Sequence, residues 1–415
     1  MRVTFREVLS VGEFRAMWLA ELLSFAGDQF ARVALVVLVF DRTNSAAIAG
    51  LTYALTFIPS LLGALTLSHI ADRRSRRDVV IVLDIVRALL VAVMVIPGIE
   101  LPWLCVLVAA MSYVGGPYGA GQLALLSDLL SVEQYPVGMT LRQITVQAAQ
   151  LAGFVVGGLL AAAVSPQVCL AINAFTFAAS AVLIRVGVRS RPAPGASSTS
   201  DLFIVAGVKM LWCEPRRRVI LLMAMLGIFY VVPEGIAAPY VYELGHGSGV
   251  VGIVLASCGA GAIVGLPLFS RFVTPERYRI ALPIACAAAG FPLVLVPLCG
   301  VYGAMMLFAV SGALWAAQVV MSVSMMSQLL PDSHRANGMG IASSVNIAAQ
   351  GLGVGLAGVA AEVVSPSCVI AIAGAISVLA ALWPGARWLK LTIRPGSREA
   401  ACGEPEMFRT QDIRS

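Results

Sequence analysis

Glu21, Asp28 and Arg32 are ionisable residues in the interior of residues 14–40, a run otherwise apolar enough to cross a bilayer. Their spacings of seven and four residues place all three on one face of a 3.6-residue helix. Such groups do proton and cation chemistry, because a carboxylate facing an apolar cavity can take up a proton or hold a cationic ligand. A further acidic residue stands in Pro233-Glu234-Gly235, where proline and glycine interrupt a helix and free backbone groups for a ligand or water. Asp28 and Glu234 are therefore the candidate proton- or cation-binding pair. Arg32 opposes proton uptake beside Asp28, and Glu21, nearer the cytoplasm, is a candidate first stop for protons or substrate. Simple pairing with charges on neighbouring helices is the competing interpretation.

A charge at the centre of a membrane helix costs roughly 2.5–3.5 kcal/mol on insertion scales, so this stripe must look into protein or a wet cavity. Composition supplies the surrounding elements. Of 415 residues, 59% are hydrophobic and 12% charged, and a mean hydropathy of +0.89 marks a polytopic membrane protein. The net charge of +6 does not indicate nucleic-acid binding, because the arginines are spread through loops. The eight cysteines lack metal or redox spacing, and the six in or beside apolar segments (Cys105, Cys169, Cys258, Cys286, Cys299 and Cys368) read as small core residues. The N-terminus lacks a cleavable secretory signal, so the first membrane helix is expected to serve as an uncleaved one.

Apolar segments run at 14–40, 46–69, 79–97, 101–129, 139–163 and 168–188, then at 218–242, 249–272, 279–299, 301–329, 338–362 and 367–390. This predicts an all-α polytopic protein of 12 transmembrane helices in two six-helix bundles, residues 1–188 and 218–390. Residues 189–217 form a cytoplasmic linker whose later part, 201–214, suits an amphipathic surface helix, and 391–415 a disordered cytoplasmic tail. Arginines between spans two and three, in the linker and in the tail place both termini in the cytoplasm. Shifting the chain by 200 aligns Leu125-Leu126-Ser127-Asp128-Leu129-Leu130 with Met325-Met326-Ser327-Gln328-Leu329-Leu330. The same shift aligns Gly158 with Gly358 and Ser165-Pro166 with Ser365-Pro366. Because six spans intervene, the halves are parallel repeats about an axis along the membrane normal.

The stretch Ser68-His69-Ile70-Ala71-Asp72-Arg73-Arg74-Ser75-Arg76-Arg77 resembles the loop signature of the major facilitator superfamily, with serines replacing both of its glycines. Asp84-Ile85-Val86-Arg87-Ala88 is similar to the D-x-x-R-A element of its drug-exporter branch, which includes macrolide-efflux and enterobactin-exporter-like proteins. The resemblance covers about residues 14–390. It implies a cytoplasmic gating latch built from Asp72, Arg73, Arg76 and Arg77, with Asp84 and Asp128 as carboxylates for the arginines to bridge and Arg87 beside them. Two departures stand out. Phe154 takes the position where antiporters of that branch often have proline, and residues 103–125 in span four contain no arginine.

The resulting expectation is a secondary active transporter of the plasma membrane. It would export small amphipathic or lipophilic molecules by alternating access coupled to proton antiport, as a monomer without cofactor or metal. An importer of a nutrient or siderophore, or a non-transporting membrane sensor, is the alternative. An enzyme is disfavoured, because the only histidines are His69, His246 and His334, all near the membrane faces.

Overall fold

In a bilayer each backbone donor and acceptor must be satisfied inside its own segment, so the apolar runs become helices. The computed structural model describes residues 4–73, 75–131, 133–191, 211–330 and 335–393. Most of the expected surface helix and tail, and the side chains of Asp72 and Arg73, lie outside the described residues. The first half opens with α1 (Phe5–Ser10), capped by the Thr4 hydroxyl, and the 32-residue α2 (Gly12–Thr43). Asn44 ends α2 in the left-handed region at φ 49°. Span two is divided into α3 (Ala46–Ala54) and α4 (Ile58–Arg73), because Pro59 has no amide proton for the turn before it. Four helices complete this half: α5 (Arg76–Met94), α6 (Leu101–Leu129), α7 (Tyr135–Ala163) and α8 (Pro166–Gly187).

Span seven is in four pieces: α9 (Pro215–Ala224), α10 (Gly227–Tyr230), α11 (Val232–Gly235) and α12 (Ala237–Glu243). Five longer helices follow, α13 (Ser248–Phe272), α14 (Tyr278–Val294), α15 (Val301–Leu329), α16 (Arg335–Ala360) and α17 (Pro366–Ile393). The repeat survives in the helix boundaries. Helices α6 and α15 are both 29 residues long and end at Leu129 and Leu329, while α8 and α17 begin at Pro166 and Pro366.

Among the described residues, 11 helical stretches are long and apolar enough to span a membrane. The twelfth is α5, which packs between α6 and α8 as a span should. Its shortfall in hydropathy comes from Arg76, Arg77, Asp78, Asp84 and Arg87 within 19 residues. The fold is that of a twelve-span bundle whose third helix carries the heaviest charge.

The near end of the bundle carries the start of α2 and the turn between α4 and α5; the far end carries the turn between α2 and α3. The halves meet along two glycine seams towards the far end. A Cβ on Gly158 of α7 would lie 2.5 Å from the Gly252 Cα of α13, and one on Gly50 of α3 would lie 2.7 Å from the Gly358 Cα of α16. Only glycine lets these backbones approach so closely. The seams are related by the repeat, since Gly158 and Gly358 are the aligned pair.

Candidate functional site

Gly27 sets the position of Asp28. A Cβ at residue 27 would come within 2.6 Å of the Asn173 Oδ1 on α8, so α2 lies tightly against α8 at this level. The neighbouring Asp28 accepts a 2.6 Å ionic hydrogen bond from the Arg87 Nη2 on α5. The other terminal nitrogen of Arg87 lies 3.4 Å from the Asp84 Oδ1 and 3.3 Å from the Ser24 Oγ. Asp84 is fully buried, and its second oxygen accepts from the Ser180 hydroxyl of α8 at 2.6 Å. Two aromatic rings flank the guanidinium, Phe177 at 3.9 Å and Tyr118 at 4.6 Å to the centroids. Asp28 keeps 20% of its side-chain surface exposed and is the open member of the cluster.

Asp84 and Arg87 therefore pair inside the bundle and not with the loop between spans two and three. Three residues apart on a helix, they share a face, and that face meets α2 inside the bundle. Arg76 does form the expected bridge to Asp128, at 2.6 Å, but both partners belong to the first half. Arg77 pairs with Asp78 at 3.2 Å and donates to the Arg185 carbonyl at 2.5 Å, again within that half. These two arginines fasten the near ends of α5, α6 and α8 to one another.

Two turns from Asp28 towards the near end, Glu21 is paired with Arg142 of α7 at 2.6 Å. Arg142 and Arg87 supply, from spans five and three, the basic side chains that span four lacks. Neither partner follows from the linear pattern, because an arginine inside a long apolar run does not identify which helix it faces.

Glu234 reaches across the halves. Its Oε2 accepts a 2.7 Å hydrogen bond from the Tyr53 hydroxyl of α3. Arg32, one turn from Asp28 along α2, lies over the Phe57 ring at 5.6 Å and interacts electrostatically with both Tyr53 and Glu234. Asp28 and Glu234 thus occupy separate charge clusters, joined through consecutive turns of α2. The break in span seven puts Glu234 there. Pro233 has no amide proton to continue the ladder, and ten residues upstream, where the first piece of the span ends, the Met223 carbonyl accepts from the Gln318 amide of α15 at 2.6 Å. Three tyrosines in these spans have defined partners: Tyr53 is bonded to Glu234, Tyr118 lies against Arg87, and Tyr230 donates to the Cys286 carbonyl at 2.7 Å.

A third set of contacts closes the far end. Glu362, just beyond α16, accepts from the Ser45 hydroxyl and, at 2.9 Å, from the Ala47 amide at the start of α3. The Ser45 bond chiefly, with help from Ala47, holds the Glu362 carboxyl below its usual range. Alongside, Tyr242 of α12 donates to the Asp41 carboxylate at 2.9 Å and stacks on Phe40 at 5.3 Å. These groups border a far-end cavity of about 480 Å³.

The sequence model of the Major Facilitator Superfamily matches residues 17–316. Among solved structures, a POT family transporter in complex with 5-aminolevulinic acid is similar at TM-score 0.74 and 12% identity, covering 94% of this chain and 98% of its own. A bacterial homologue of the human lysosomal transporter Spinster, in an inward-facing and occupied conformation, is similar at TM-score 0.71 and 13% identity, with 92% and 96% covered. The nucleoside transporter NupG is similar at TM-score 0.68 and 15% identity, with 90% and 99% covered. No curated protein matches the chain.

Proposed function

Because this chain belongs to the Major Facilitator Superfamily, we propose that it is a secondary active transporter that exports small amphipathic or lipophilic molecules by alternating access. Proton antiport across the plasma membrane supplies the drive, both termini are cytoplasmic, and the protein works as a monomer. The supporting observation is the Glu234 carboxylate of the second half, bonded to Tyr53 of the first and one turn of α2 from the cluster holding Asp28. A group in that position feels both its own charge state and the separation of the halves, which is what coupling requires.

With the near end cytoplasmic, the glycine seams and the Glu362 clasp lie on the external side, so the conformation faces inward. Substrate then enters from the cytoplasm and meets Glu21 before Asp28. The two six-helix units, residues 1–188 and 218–390, rock about the seams, and Asp72 with Arg73 latches the cytoplasmic ends when they close. The resemblance to the drug-exporter branch supports export over import. Inverted membrane vesicles with an imposed pH gradient test the scheme directly. Accumulation of a fluorescent lipophilic cation should follow the gradient and be lost in a variant carrying Asp28→Asn and Glu234→Gln. Accumulation indifferent to the gradient would remove antiport.

A further inference from the structure

The transport scheme above leaves Asp84 without a task, although it is an acidic side chain fully buried in the membrane interior. The groups that face it from the packed helices are few. Arg87 is on its own helix, Asp28 and Ser24 are on α2, Tyr118 is on α6 and Ser180 is on α8. Glu21, farther along α2, has Arg142 as its own counter-ion. The cluster therefore holds two carboxylates against one guanidinium, and its other polar members are neutral.

A buried charge left without a counter-charge is the costliest arrangement in a low-dielectric interior, so such a pair of acids retains a proton between them. Geometry chooses the site. Arg87 is in direct contact with Asp28 at 2.6 Å but stands off from Asp84 at 3.4 Å. The 2.6 Å separation between Asp84 and Ser180 serves equally well with the proton on the hydroxyl or on the carboxyl group. We infer that Asp84 carries the transported proton and that Arg87 is a two-position switch tying its release to occupation of Asp28. This rests on the transport scheme and names the positioning residue within it.

The cycle balances. In the state described here Asp84 is a neutral acid, and the Arg87 cation is matched by the Asp28 anion. A lipophilic cation arriving at Asp28 takes over its negative charge. Arg87 then turns to Asp84, closing the 3.4 Å gap by about 0.6 Å to a charge-assisted contact, while the flanking rings of Phe177 and Tyr118 keep the motion in the guanidinium plane. Asp84 gives up its proton past Ser24 and the exposed edge of Asp28. After the halves rock and the cation leaves, a proton from the other side returns to Asp84 and Arg87 swings back. One cation goes out for each proton that comes in.

Infrared spectroscopy of the purified full-length protein in lipid nanodiscs at neutral pH tests the proton's location without depending on transport. The spectrum should contain the carbonyl stretch of a protonated carboxyl group that disappears in Asp84→Asn. The same band should move in Ser180→Ala, which touches Asp84 and not Asp28. A band insensitive to Asp84→Asn, or one that Ser180→Ala leaves in place, would overturn the assignment. In inverted vesicles with ethidium as probe, Asp84→Asn should abolish accumulation driven by the pH gradient. Wild-type accumulation in that variant would refute the coupling role. If the band behaves as stated while wild-type vesicles ignore the gradient, the proton site stands and the antiport scheme fails.

Discussion

Tyr53 and Glu234 are 181 positions apart, and the 2.7 Å bond between them links the two halves directly. Replacing Tyr53 with Phe removes the donor and keeps the ring. A hydrogen bond to a charged group is worth about 1.5–3 kcal/mol, so the population closed at the far end should fall by roughly ten- to a hundredfold relative to one open there. Distances between spin labels on the near ends of the two halves would measure that shift. The Glu21–Arg142 pair makes a different prediction. Arg142→Ala strands a buried carboxylate and should cost about 3–5 kcal/mol, whereas Glu21→Gln with Arg142→Gln together should recover most of it; thermal unfolding in detergent distinguishes the two. The acids Glu21, Asp28 and Glu234 were legible in the sequence because each interrupts an apolar run. Their partners were not. The resemblance puts Arg87 in the D-x-x-R-A element and beside the gating latch, and only its contacts inside the bundle show that it serves Asp28.

Single helices divide along the same line. The break in span seven announces itself through Pro233 and Gly235, yet the irregularity begins earlier, at Met225 and Leu226, where no proline stands. There the Gln318 amide, some 95 residues away, makes the break tolerable by taking the Met223 carbonyl, and long-range donors of that kind leave no local trace. The glycine seams were half-legible. Close packing in span five follows from Gly157-Gly158, but the choice of α13 as the opposing surface does not. Gly358→Ala would force a methyl group to within 2.9 Å of the Gly50 Cα, and Gly158→Ala to within 2.5 Å of the Gly252 Cα. Neither backbone can retreat as a side chain would, so each variant should prise the far end apart. Labelling, from the far side, of a cysteine introduced on the seam should become faster in both.

At the level of the whole molecule, closure of the far end depends on Glu362 being ionised. Its carboxyl is held below the ordinary range in the closed state and returns to that range when the Ser45 and Ala47 donors are lost. The clasp therefore contributes fully above the ordinary carboxylate range and weakens as pH falls through the lowered value. Acidifying the far side should open the far end, and Glu362→Gln should make it less sensitive to acid; spin labels on the turns after α2 and α16 would report both. The twelve-span architecture was legible from hydropathy, charge in loops and the 200-residue repeat, since those follow from the bilayer itself. Helix α5 shows what that architecture demands during synthesis. With Asp84 and Arg87 at its centre it partitions poorly into lipid by itself, at roughly 2.5–3.5 kcal/mol for each charge, and its neutralising partners arrive on different segments. Asp28 has already emerged when α5 leaves the ribosome, but Ser180 has not. A nascent chain cut after span three should leave α5 loosely inserted and prone to slip back, and one extended through α8 should lock it in place. Biogenesis of the first half is then cooperative over six helices, and the buried charges of α5 also dictate the order of its assembly.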